Sequence, residues 1–143
     1  MEKKLFVLFL FLFLSGSLGF VSATTTGDIT SIGFDISSKP YYTSEDPLIS
    51  VASKNTGTES YSVYVKTTIT APDGSSYSYE SDPSIFQVGF TLVANLLYTY
   101  PDTEGIGRYY ITTELWRSID WWPDERLDTS SSSFDVIFSK PSG

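Results

Sequence analysis

The chain has 143 residues, 9 of them basic and 17 acidic, and it contains no His and no Cys. That composition excludes disulfides, thiolate nucleophiles, imidazole bases, Ser-His-Asp and Cys-His catalysis, and zinc sites built on His or Cys. A net charge of −8 repels phosphate backbones and anionic headgroups, so nucleic acid is not an expected partner.

Lys3 and Lys4 precede an unbroken apolar run from Leu5 to Leu14, which Ser15, Gly16, Ser17 and Gly19 then interrupt. Val21-Ser22-Ala23 offers small residues where a signal peptidase reads. The run falls short of the roughly 20 apolar residues that cross a bilayer as a helix. The expectation is a signal peptide over residues 1–23 and a single domain over residues 24–143, secreted or held at the cell surface without membrane insertion. Losing Glu2, Lys3 and Lys4 takes the net charge from −8 to −9.

Beyond the leader the apolar period is two almost throughout. Ile32, Phe34 and Ile36 mark a first strand that Lys39-Pro40 ends, and Ile49 and Val51 mark a second, closed by Asn55-Thr56-Gly57. Tyr61, Val63, Val65, Thr67 and Ile69 share one face of a third, with Ser62, Tyr64, Lys66 and Thr68 on the other. Pro72-Asp73-Gly74 is a turn, in which Pro presets φ and Gly takes the left-handed position. Ser75 to Glu80 alternates Ser with Tyr77 and Tyr79. Phe90 to Tyr98 is apolar on both faces, Leu92 and Leu96 against Val93 and Leu97, which predicts deep burial. Pro101 to Gly107 reads as a loop. Tyr109, Ile111, Thr113 and Leu115 form the next core face, and Phe134, Val136 and Phe138 the last. About seven antiparallel strands without a helix predict an all-β, two-sheet sandwich; a small closed barrel is the alternative.

The order of these signals resembles a known family. "EDPLISVASKNTGTESYSVYVKTTITAPDG" is similar to the front half of the immunoglobulin-like extracellular domains grouped as CARDB, cell-adhesion-related domains of archaeal and bacterial surfaces. "GIGRYYITTEL" resembles their Gly-x-Tyr strand and "SSSFDVIF" their closing Phe-x-Val strand, so the likeness runs from Ile32 to Phe138. It implies an immunoglobulin-like sandwich serving adhesion or scaffolding, and it brings no catalytic residues. As a single domain this chain is expected to depart from the family, whose members sit in multidomain chains, and it departs also in its long, aromatic-rich last loop from Leu115 to Asp128.

Carboxylates are the abundant reactive groups. Glycosidic cleavage needs two of them held apart across a cleft, and acids in the loops of a small sandwich are ordinarily solvated, so no enzyme activity is expected. Calcium takes six to eight oxygens, and Asp120, Asp124, Glu125 and Asp128 lie close together in sequence, with Asp102 and Glu104 a smaller candidate. Neither set matches the EF-hand loop pattern, and no other cofactor is expected. The most distinctive segment is Leu115 to Pro123, which holds all 3 tryptophans. Buried, they make the loop a plug over one end of the sandwich. Exposed, they make it a ligand platform. Trp116 continues a strand and is expected to pack. Trp121 and Trp122, together with Trp116 and Arg117, are the candidate binding residues for an extracellular protein or a polysaccharide. The leading expectation is a non-catalytic interaction module; a carbohydrate-binding module and a secreted proteinase inhibitor are the alternatives.

Overall fold

The structure, a computed structural model, describes residues 24–35, 40–99 and 105–138. The leader, Ile36, Lys39, Asp102 and Glu104 lie outside the described residues. Among those described, the chain is all-β and forms two sheets that share one core. The strands are β1 (Gly27–Phe34), β2 (Tyr41–Tyr42), β3 (Leu48–Asn55), β4 (Tyr61–Thr70), β5 (Ser76–Glu80), β6 (Ser84–Phe86), β7 (Thr91–Leu97), β8 (Gly107–Arg117) and β9 (Glu125–Ile137). One sheet has the order β1-β3-β7; the other has β2-β9-β8-β4-β5, with β6 pairing beside β5 on β4.

Strand β4 shows how period two becomes a core. Every odd residue from Tyr61 to Ile69 is buried and every even one is half-exposed. Its antiparallel register with β8 sets Val65 against Leu115 and Ile69 against Ile111. Thr67 lies opposite Thr113, and their buried hydroxyls pair at 3.2 Å, so neither enters the core unsatisfied. From the facing sheet come Ile49 and Val51 of β3, backed by Ile32, Leu92, Ala94 and Leu96. One end of this core is aromatic. Phe134 stacks on Tyr109 with centroids 5.1 Å apart and meets the edges of Tyr41, Tyr98 and Phe34.

The Pro-Asp-Gly turn forms as its residues require. Gly74 adopts φ 91° and donates to Ala71 O at 3.0 Å. The Ser75 N–H donates to Asp73 at 2.8 Å, and that hydrogen bond holds the Asp73 carboxyl below its ordinary range.

Asn55 closes β3 from inside the core. Its Nδ2 donates to Phe86 O at 2.7 Å and to Glu59 O at 3.0 Å, while its Oδ1 accepts from Gly57 N–H at 2.8 Å. Gly57 is needed for space. A Cβ there would lie 2.2 Å from Thr24 O, because residues 24 to 26 cross the turn and pair with residues 56 and 58.

Four expectations need correction. Thr91–Leu97 is an edge strand; Val93 and Leu97 face solvent and Leu92, Ala94 and Leu96 are only partly buried against the core, so of the segment Phe90 to Tyr98, expected to be deeply buried, Tyr98 alone is. The pattern reported two apolar faces, and the fold covers one. The last strand begins at Glu125, well before Phe134, so the Ser130–Ser133 run sits inside a strand. Ser carries no apolar signal, and pairing with β8 draws the run into the sheet. Pairing also adds β2 and β6, whose two and three residues are too short to show a period, for nine strands among the described residues. Finally, β2 runs parallel to β9, since the chain leaves β1 and joins the edge of the opposite sheet.

Val65→Asp is expected to lower stability by about 3 kcal/mol or more, since an unpaired carboxylate enters the core. Lys66→Asp on the outer face should cost no more than about 1 kcal/mol. Urea unfolding of both variants measures the difference, and equal midpoints would mean that the two faces are assigned the wrong way round.

Candidate functional site

The tryptophan segment is the tip of the long β8–β9 hairpin. The two strands stay paired as far as Arg117 and Glu125, so the loop spans only 118–124. The sequence pattern predicts one loop from Leu115 to Asp128, and the structure shortens it, because pairs such as Trp116 with Arg126 follow from register rather than local pattern.

Trp121 is 98% exposed and Trp122 is 73% exposed, so neither plugs the core. Trp121 also has φ 72°, the left-handed region, where a residue with a Cβ is held at about 1–2 kcal/mol above its relaxed state. Pro123 holds the preceding Trp122 near extended geometry. Asp124 fastens the loop to the sheet. One of its oxygens accepts from Ile119 N–H at 3.2 Å and the other from the Tyr64 hydroxyl at 2.8 Å, while Ser118 N–H donates to Ser62 O at 2.9 Å. The tip therefore presents large apolar area on a fastened loop.

Trp116 is half-buried on the outer face of the sheet. Its ring lies nearly parallel to Tyr64, 6.5 Å between centroids, and its N–H donates to Glu114 at 3.1 Å. Arg117 turns inward. Its guanidinium sits 5.7 Å from the centre of the Tyr61 ring and reaches Thr25 at 3.2 Å and Glu125 at 3.7 Å, so its contacts are structural. The candidate calcium ligands do not converge: Asp124 is engaged as above, Glu125 faces Arg117, and Asp128 accepts from Ile29 N–H at 2.8 Å and from its neighbour Thr129. Asp120 is exposed. Among the described residues no group of three acidic side chains is placed to hold a metal ion.

Other features of this surface were not legible from the sequence. Tyr64 becomes a site residue through Asp124, 60 positions away in the chain. The strand charges on the outer face that it shares are paired with opposite charges, and Asp124 adds one further carboxylate beside Tyr64. Arg108 pairs with Asp135 at 2.9 Å, Arg126 with Glu114 at 3.3 Å, and Lys66 lies across from both Glu80 and Glu114. Hydroxyls fill the space between them, Thr68 with Ser78 and Thr70 with Ser76. An open hollow of about 300 Å³ lies elsewhere, between Ile85, Phe86 and Gln87 on one side and Phe90, Thr91 and Leu92 on the other.

No family model matches the sequence, and no curated protein matches it. Among solved structures, the chain is similar to part of the alkylpurine DNA glycosylase AlkC of Pseudomonas fluorescens, in a complex with DNA containing an abasic site analog. The TM-score is 0.55 at 13% identity, over 78% of this chain and 30% of that one. At that identity the likeness concerns the fold alone, and this chain spans less than a third of AlkC. A solution structure from Arabidopsis thaliana aligns over 87% of this chain and 91% of its own, with TM-score 0.47 and 10% identity.

The Tyr64 hydroxyl is pushed up to about 12 from the ordinary 10, first by burial, then by its hydrogen bond to Asp124 and the charges of Asp124, Glu80 and Glu114. Tyr61 also rises to about 12 through burial, opposed by Arg117. A raised pKa means that the folded state keeps its proton after the unfolded state has lost it. The stability from both groups is therefore complete below pH 10 and is lost as pH climbs towards about 12. Asp124→Ala should move the Tyr64 titration part of the way back to 10 and leave Tyr61 in place, as tyrosine ring chemical shifts followed against pH would report.

Proposed function

We propose that this chain is a secreted or cell-surface, non-catalytic interaction module that binds an extracellular protein or polysaccharide through the tip of its β8–β9 hairpin. The observation that carries the reading is Trp121, almost wholly exposed on a strained backbone. A fold gains nothing from holding a large apolar side chain in water at a left-handed position, so the strain points to a contact made by the ring. Aromatic anchors on a rigid support are the residues from which interfaces draw most of their affinity.

The immunoglobulin-like class is part of the same proposal. Supporting it are the facing of β1-β3-β7 against β2-β9-β8-β4-β5, the passage of the chain from β3 in one sheet to β4 in the other, and an early strand that joins the opposite sheet's edge beside β9. A further support is Tyr109, near the start of β8, whose hydroxyl donates to Gly105 O at 2.7 Å. That is the geometry of a tyrosine corner. The Lys-Asn-Thr-Gly and Pro-Asp-Gly segments carry the CARDB resemblance, and with it a role in adhesion. Polysaccharide is favoured as the ligand by the hydroxyl-rich face with its parallel Tyr64 and Trp116 rings, which adjoins the tip.

Replacing both Trp121 and Trp122 by Ala should leave the melting temperature within a few degrees, because neither side chain is part of the core. Co-sedimentation with cell envelopes, cellulose or chitin should fall by about tenfold or more against the parent protein. Equal retention of a folded double variant would place the contact surface elsewhere. The location is checked separately, by mass spectrometry of protein recovered outside the cell, which should begin at or near Thr24. Leader-bearing protein confined to the membrane fraction would overturn the secreted reading.

A further inference from the structure

Strand β7 ends its sheet, and its sequence lacks the devices by which exposed sheet edges are ordinarily protected. Thr-Leu-Val-Ala-Asn-Leu-Leu contains no charge, no Pro and no bulge. The other edges differ. β1 carries a bulge between Ile29 and Ser31, and its Ile29 N–H is taken by Asp128. β2 and β6 are only two and three residues long, and β5 is polar at its exposed serines and ends in Glu80.

Backbone geometry fixes which groups of β7 face outward. Tyr98 N–H donates to Pro47 O and Asn55 N–H to Phe90 O, so the even-numbered residues of the strand exchange their bonds with β3. By the alternation of an antiparallel ladder, Thr91, Val93, Asn95 and Leu97 direct their N–H and C=O groups to the open edge. The same residues point their side chains to the outer surface, where Val93 is 53% and Leu97 59% exposed. Phe90, at the start of the strand, is 65% exposed. Here a row of backbone donors and acceptors that find no partner among the described residues coincides with exposed apolar side chains.

We infer that β7 is a dimerisation edge and that its occupant is β7 of a second copy of this chain. The strand is complementary to itself about a two-fold axis through Ala94. Antiparallel pairing there sets Thr91 against Leu97 and Val93 against Asn95, so all four outward-facing residues of each copy meet outward-facing residues of the other. No backbone group of the edge is left over. Electrostatics selects the same place, because two copies with a net charge of −8 each repel, and β7 offers them a strip without charge. Joined in this way, the two three-stranded sheets become one continuous six-stranded sheet, and the most frequent symmetry of soluble oligomers is produced.

Sedimentation equilibrium of the purified protein from micromolar to about millimolar concentration is the test. The parent protein should pass from monomer to dimer. Val93→Lys, a charge on an already exposed side chain, should remain monomeric with an unchanged circular dichroism spectrum. Tyr110→Lys, the same charge on the outer face of the other sheet, should dimerise as the parent does. Amide hydrogen exchange gives a reading that does not depend on any variant: the Thr91, Val93, Asn95 and Leu97 amides should gain protection as concentration rises. A parent protein that stays monomeric throughout overturns the inference, whatever other chain the edge takes. So does a dimer whose β7 amides remain unprotected, or one that a folded Val93→Lys variant forms equally well.

Discussion

The side chain of Asn55 has two N–H donors and one carbonyl oxygen, and all of them are engaged inside the protein. They bind three different stretches: the turn after β3, the approach to β4, and β6. The Asn55 backbone adds a fourth with two hydrogen bonds, its C=O accepting from Gly89 N–H and its N–H donating to Phe90 O. A single buried residue therefore fastens the place where the chain passes from the central strand of one sheet to an inner strand of the other. An amide buried at 1% exposure with any of these partners missing would leave unsatisfied polar groups in the core, each at about 1–3 kcal/mol. The arrangement is consequently all or nothing. With the turn fixed, Gly57 lies flat enough for residues 24 to 26 to cross it, and β1 enters its sheet in register with β3.

What was legible in the sequence follows from this dependence on pairing. Strands that alternate cleanly, such as Tyr61 to Ile69 and Tyr109 to Leu115, declare both their type and their inner face, because burial on one side is a local property. Gly74 and Pro72 declare a turn for the same reason. Register is not local. Nothing near Ser130 to Ser133 announces a strand, yet β8 pairs with the whole run. Small side chains at half-buried Ser130 and Ser132, on the face that Phe134 shares, suit the close contact of β1 with β9. At Leu92 to Leu97 the pattern is apolar on both faces, but burial of the second face requires a covering layer, and none lies over it among the described residues. The candidate site divides in the same way. Trp121 and Trp122 are identifiable by composition alone, whereas Tyr64 and the inward role of Arg117 depend on contacts between distant parts of the chain.

Strain and rigidity meet at the hairpin tip. Asp124 joins Ile119 to Tyr64, and Tyr64 in turn lies parallel to Trp116, so the loop is fastened from its own strand and from β4. Arg117, seated between Tyr61, Thr25 and Glu125, anchors the base of the hairpin to the segment that Asn55 and Gly57 position. Through these contacts the left-handed Trp121 can persist, since relaxing its φ would displace residues tied at both ends. A rigid aromatic pair loses little conformational freedom on binding, and affinity is gained by that saving as much as by area.

A pair of exposed indoles on one small domain nevertheless presents far less surface than the roughly 800 Å² per partner of a standard stable interface. Pairing through β7 changes that arithmetic without adding any new contact to the ligand. The dimer carries two hairpin tips on the sheet opposite to the one that forms its junction, so occupation of the edge does not use the tip. Against a repetitive surface such as a polysaccharide or a cell envelope, the second tip binds at an effective concentration set by the rigid dimer rather than by the solution. Gains of about a hundredfold or more are typical where both sites can engage at once. On the proposed function, an uncharged edge and an exposed aromatic tip, each unusual in a chain with 17 acidic residues, would act on the same problem, the retention of a small acidic domain on an extended ligand.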